Sequence, residues 1–146
     1  MTTEQKDLLL KDLSARLPYG VNIEYTFKVT HIETNEEEIL TKPLFLYSIN
    51  TLDDMTVSGI DDDGDQNICF FSEVKPYLFP ISSMTEEQKE EFNTRSLELQ
   101  LKVIDDEIMY KKATEFEVDF YNKHHLDWRG LIPMGLALDA TNLNIY

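Results

Sequence analysis

The sequence predicts an α+β domain: an N-terminal helix, a small antiparallel bent sheet or SH3/Sm-like barrel, and C-terminal helices. Three observations point there. Leu8, Leu9, Leu10, Leu13 and Leu17 recur on one helical face near the start. Between residues 21 and 72 the apolar period becomes two, as on a strand with one buried face. After Thr85 a helix-start signal is followed by a region without Gly or Pro.

Taken in order, the first helix covers 4–17 and ends at Leu17-Pro18-Tyr19-Gly20, because the residue before proline avoids the helical region. Val21, Ile23, Tyr25, Phe27 and Val29 alternate with polar residues in a first strand. Glu33 to Glu38 reads as a polar turn, and Leu44, Leu46 and Ile49 mark a second strand after Pro43. Met55 to Ile60 is a third strand, Asp61 to Asn67 a hairpin turn, and Ile68, Phe70 and Phe71 open a fourth. Ser72 and Glu73 form a single helical turn before Pro76, with a further short strand beyond. That order is the one expected of a small SH3-like or Sm-like barrel, by analogy of fold.

Thr85 with Gln88 makes a capping box, and Thr114 with Glu117 a second. Phe116 and Phe120, one turn apart, are expected to dock on the core, and the last helix to end near Lys123 or His124. Residues 96–112 fit two periods. Leu97, Leu99, Leu101 and Val103 alternate as in a strand, whereas Leu97, Leu101, Ile104 and Ile108 repeat as in a helix; the lack of breakers favours helix. The chain reads as one domain, 1–146, with a helix and β-meander over 1–82 and a mainly helical extension over 83–146 packed on it.

Length and composition suit this. A chain of 146 residues with 42% hydrophobic residues can bury a core. It contains no apolar run of membrane-spanning length, its first residues lack a signal-peptide pattern, and its single Cys69 fits a reducing, cytoplasmic setting. The net charge is −15, and residues 21–120 carry 23 of the 28 acids against 8 of the 13 bases. A field of that sign repels nucleic-acid backbone and favours basic partners.

Several groups invite chemistry. His124, His125 and Asp127 are metal-ligand types, but adjacent histidines at a helix end diverge, whereas two ligands from one helix usually sit four residues apart. Asp61, Asp63 and Asp65 resemble the start of a calcium loop, yet the sixth position from Asp61 is Gln66 rather than Gly, and the twelfth is Ser72 rather than Glu. A tight Asp/Gly turn is the simpler expectation. Cys69 lies in an apolar strand and reads as a core residue, and neither a Gly-x-Ser-x-Gly elbow nor a phosphate loop occurs. Asp127-Trp128-Arg129-Gly130 reads as a docking lock: Arg129 stacks on Trp128 or clamps an acid, expected in the acidic middle of the chain, and seats Leu131 to Leu138. His124, His125, Asp127, Trp128 and Arg129 are therefore the candidate binding residues.

Three long strings carry a resemblance: Leu8 to Val21, Ser72 to Gln88 and Asp119 to Leu138. In these the chain resembles uncharacterised proteins of gut Bacteroides-type bacteria and their phages. The resemblance implies a cytosolic protein of a phage, prophage or mobile element, and it implies no activity or catalytic residue. The expected function is a non-enzymatic binding or structural module, without cofactor, acting through a protein partner or self-association. A nucleic-acid-associated barrel is the alternative, followed by a hydrolase using His124 or His125 with Asp127.

Overall fold

In a computed structural model, residues 1–51, 55–102 and 107–146 are described, with side chains apart from those of 99–102 and 107–113. Helix α1, Thr3–Arg16, opens on a capping box: Thr2 Oγ1 accepts from Gln5 N at 3.2 Å and Gln5 Oε1 accepts from Thr2 N at 2.8 Å. Pro18 converts its end into a 3-10 turn over Leu17–Tyr19. Gly20 follows with φ +72°, a conformation that side chains resist, and an added Cβ would meet the Phe45 ring at 2.9 Å.

The strands are β1 Val21–Thr30, β2 Glu37–Asn50, β3 Thr56–Ile60, β4 Gln66–Phe70, β5 Val74–Leu78 and β6 Leu138–Asp139. They form one sheet in the order β4-β3-β2-β1-β5-β6, antiparallel except for the β5–β6 pair. The ladder is open, with β4 at one edge. Of the two expected forms, the hydrogen bonding matches the bent sheet rather than a closed SH3/Sm-like barrel. The 3-10 turn Phe71–Glu73 carries the chain from β4 to β5, which pairs with β1 at the far side of the sheet.

Strand β2 is longer than Pro43 suggests. Pro43 lies inside it opposite Glu24, and His31 N–H donates to Glu36 C=O at 2.9 Å, so odd-numbered β1 residues make the β1–β2 bonds. Pro43 therefore falls at a non-hydrogen-bonded pair, where its missing N–H costs no ladder bond. A bulge between Leu46 and Ser48 shifts the inward set from Leu44 and Leu46 to Ile49.

Helix α1 lies on the inner face. Leu9 and Leu13 join Val21, Ile23, Leu44, Leu46, Val57, Cys69, Phe71, Val74, Leu78, Leu131 and Leu136 in one buried cluster. Burying each large aliphatic side chain is worth about 1.5–3 kcal/mol. Gly59 permits the close approach of β3 to β2, since a Cβ there would sit 2.8 Å from Leu44 Cβ.

Helices α2, Glu86–Lys102, and α3, Glu107–Lys123, pack as a hairpin whose aromatic centre is Phe92 against Phe116, Phe120 and Tyr121. Phe116 and Phe120 thus meet α2, in a cluster beside the main core. The helical period holds through Lys102; residues 103–106 lie outside the described residues. The Thr85 cap is present, with Thr85 Oγ1 accepting from Gln88 N at 3.2 Å. The Thr114 cap is not a helix start, because α3 begins at Glu107 and Thr114 lies within it. Helix α3 ends at Lys123, as expected, and residues 124–146 are turns plus β6. No described helix is long and apolar enough to cross a membrane.

Candidate functional site

The C-terminal lock forms around one buried acid. Asp12 and Arg16, both fully buried on α1, pair through Arg16 Nε to Oδ2 at 2.7 Å and Nη2 to Oδ1 at 3.0 Å. Arg16 also donates to the carbonyls of Leu126 at 2.8 Å and Tyr121 at 3.3 Å, tying α1 to the end of α3. Arg129 Nε approaches the same Asp12 at 3.3 Å without hydrogen-bond geometry, while its guanidinium lies 3.8 Å over the Trp128 ring. The acid that Arg129 meets is therefore in α1, not in the acidic middle of the chain. Burial lowers the Arg129 pKa and Asp12 opposes that. Trp128 is fixed in turn by its Nε1–H, which donates to Asn122 Oδ1 at 3.0 Å.

Asp127 is a backbone cap. Its Oδ1 accepts from Leu131 N at 2.7 Å and its Oδ2 from Ile132 N at 2.8 Å, which seats the segment bearing buried Leu131 and Leu136. Asp127 N and Phe79 N bond the carbonyls of Phe79 and His125, extending β5 sideways.

The two histidines diverge as their spacing predicts. His124 Nδ1 lies 3.2 Å from Gln88 Nε2 and its ring 4.4 Å from that of Phe120, so it braces α3 against α2. His125 turns the other way with φ +53° and stacks on Tyr146 at 3.9 Å. Burial first, then Arg16 and His124, pushes its pKa down to about 4, so the ring is neutral near pH 7. No described hydrogen bond joins either histidine to Asp127, and a hydrolytic pair is not assembled. Tyr146 completes the seam: its hydroxyl accepts from Asn22 N at 3.3 Å and donates to Tyr77 C=O at 2.8 Å, bridging β1 and β5.

The Asp61 turn spends its carboxylate internally. Oδ1 accepts from Asp65 N at 2.8 Å, and Oδ2 receives Lys42 Nζ at 2.9 Å and Asn67 Nδ2 at 3.3 Å. The Lys42 bond, ahead of the others, lowers the Asp61 pKa. Asp63 and Asp65 point to solvent, and among the described residues no three His, Cys, Asp or Glu side chains are grouped as a metal requires. Cys69 is buried, and burial pushes its thiol up to about 11, far from a nucleophile's range.

What remains is a surface that the motif reading passed over. On the outer face of the sheet, Phe45 and Tyr47 of β2 lie on the same side as Ile68 and Phe70 of β4; on β3, Ile60 stands opposite Phe45, and Ser58 and Thr56 stand opposite Ile68 and Phe70. Phe45, Tyr47, Ile68 and Phe70 are 49%, 40%, 75% and 51% exposed, respectively. The Tyr47 hydroxyl reaches across to Gln66 Oε1 at 3.4 Å. The signal for this face was present: Leu44-Phe-Leu-Tyr47 is apolar at every position, which a strand with one wet face would not be. No family model, curated protein or solved structure matches the chain.

Proposed function

We propose that this chain is a protein-binding module that acts through the outer face of its sheet on a partner whose apolar surface is rimmed by basic residues. The observation that carries the reading is the exposed set Phe45 and Tyr47 on β2 and Ile68 and Phe70 on β4, on one face of the sheet to either side of β3. Single exposed apolar residues are ordinary, whereas four large ones gathered on one face of a sheet, with only the short side chains of Ser58 and Thr56 opposite Ile68 and Phe70, mark a contact surface. The rim gives the partner its sign: Asp61, Asp62, Asp63 and Asp65 fill the β3–β4 turn and Glu73 follows β4, within a chain of net charge −15. A second copy would bring the same acids to the same edge, so charge favours a different, basic protein.

The resemblance to phage and mobile-element proteins supplies the setting, an accessory protein meeting a host or virion protein in the cytoplasm. The test is a paired capture and binding measurement with Phe45→Ser combined with Ile68→Asp. The wild type should retain a partner whose purified form binds in vitro, and the variant should lose it at least tenfold with its melting temperature kept within a few degrees. An identified partner that binds both forms equally would sink the reading, and so would concentration-dependent dimerisation abolished by the same substitutions.

A further inference from the structure

The sheet has a second unfinished feature, in its backbone. Strand β1 pairs with β5 only from Ile23 to Tyr25, opposite Pro76 to Val74, and then continues through Thr30. Strand β2 pairs with β3 only from Phe45 onward. Thr26 to Thr30 and Glu37 to Thr41 therefore form a two-stranded arm whose described strand pairing is with itself. Because odd-numbered β1 residues bond β2, Lys28 and Thr30 turn their N–H and C=O groups to the side that β5 has left.

A cleft of about 440 Å³ runs along this edge, lined by Tyr25, Phe27, Lys28, Ile39, Ser72 and Glu73. Its aromatic wall is preset: the Tyr25 and Phe27 rings stack at 5.1 Å, and Lys42 Nζ lies 5.9 Å over Phe27. An open strand edge beside an apolar cleft is what strand addition uses, with backbone bonds giving affinity and alternate side chains entering the cleft. The arm supplies the charge rule. At its tip Glu37 pairs with Lys28 at 3.0 Å and Glu38 lies 3.1 Å from His31, Glu33 and Glu36 are exposed beside them, and Glu73, which accepts from Phe70 N, lines the cleft, so acids outnumber bases along the edge.

We infer that the β1 edge from Lys28 to Thr30 receives an extended segment of a partner, alternating apolar and basic side chains, as an added antiparallel strand. The apolar side chains enter the Tyr25–Phe27 cleft and the basic ones meet the arm's glutamates. This rests on the protein-binding reading and names the segment the partner would present.

The probe is a labelled decapeptide, five Val-Lys repeats with blocked ends, followed by fluorescence anisotropy and amide hydrogen exchange. Binding should slow exchange at Lys28 and Thr30 at least tenfold. The matching Val-Glu peptide should bind at least tenfold more weakly. Lys28→Pro, which removes an edge N–H at a position where proline is sterically allowed, should weaken binding at least tenfold, and Lys28→Ala should stay within threefold. Methylating alternate peptide nitrogens, in each of the two registers, leaves the protein untouched and should cost tenfold in one register. Overturning results are no binding of the Val-Lys peptide, protection confined to other amides, or indifference to both Lys28→Pro and N-methylation. The outer-face double variant separates the two ideas: it should bind the decapeptide within threefold of wild type. If it loses the partner protein while Lys28→Pro keeps it, strand addition falls and the outer-face reading stands.

Discussion

Asp12 is fully buried and has two arginines directed at it. A carboxylate so placed is held by Arg16 in a two-pronged pair, with Arg129 closing the remaining side. Removing one partner leaves a charge buried without compensation, which typically costs ~3–5 kcal/mol, whereas replacing the pair by apolar groups of similar volume is often neutral. Asp12→Asn should therefore lower urea stability by ~3–5 kcal/mol. Asp12→Leu combined with Arg16→Met and Arg129→Met removes all three charges and should recover part of that loss, the carbonyls that Arg16 served staying unpaired, and a triple variant less stable than Asp12→Asn would refute the account. His125 gives a pH signature. Its folded pKa of about 4 lies below the ordinary value of 6.5. The unfolded chain then takes up the proton first as pH falls. Its contribution to stability is complete above about pH 6.5 and declines toward pH 4, with a slope approaching 1.4 kcal/mol per pH unit. His125→Asn, which tolerates the positive φ, should flatten that part of the profile in urea titrations between pH 7 and 4.5. At this scale the sequence was informative about type and poor about partner. Asp127-Trp128-Arg129 stood out as a lock, yet its acid is more than a hundred positions away in α1, a distance that local pattern does not encode.

Helix starts show how far local chemistry reaches. Thr85 and Thr114 carry the same capping pattern, and only the first opens a helix. Thr85→Ala should cost about 1 kcal/mol in thermal or urea unfolding, the usual loss for an N-cap threonine. A cost near zero would mean that packing of Phe92 on α3 sets the α2 terminus. Within the sheet, Gly59→Ala would push a methyl group into Leu44 Cβ, and overpacking of this kind costs about 1–3 kcal/mol. Strand positions in β1, β3 and β4 were legible because period two is a local property. The end of β2 was not: the bulge beside Tyr47 changes which residues face inward, and the proline that looked like a boundary sits at a pair needing no N–H. The end of the last helix near Lys123 was legible from its basic residues, but the path of 124–146 was not, because its backbone bonds go to β5 and to the Asp127 carboxylate.

At the scale of the whole molecule, a net charge of −15 on 146 residues repels itself in the compact state. Raising sodium chloride from 20 to 300 mM should raise the melting temperature by several degrees, since the screening length falls below the size of the domain. A melting temperature that falls with salt would mean that ion pairs such as Lys42–Asp61 outweigh the repulsion. The sequence by itself determined the α+β class, the leading helix, the meander and the sign of the surface. Each of those follows from neighbours along the chain or from a simple count of charges. Only the tertiary structure decided that the sheet stays open, that Arg129 turns to Asp12, that the outer apolar face of β2 is left uncovered, and that β1 outruns β5. Those facts depend on where distant segments stop pairing, and a strand end is set by its neighbour's length as much as by its own residues.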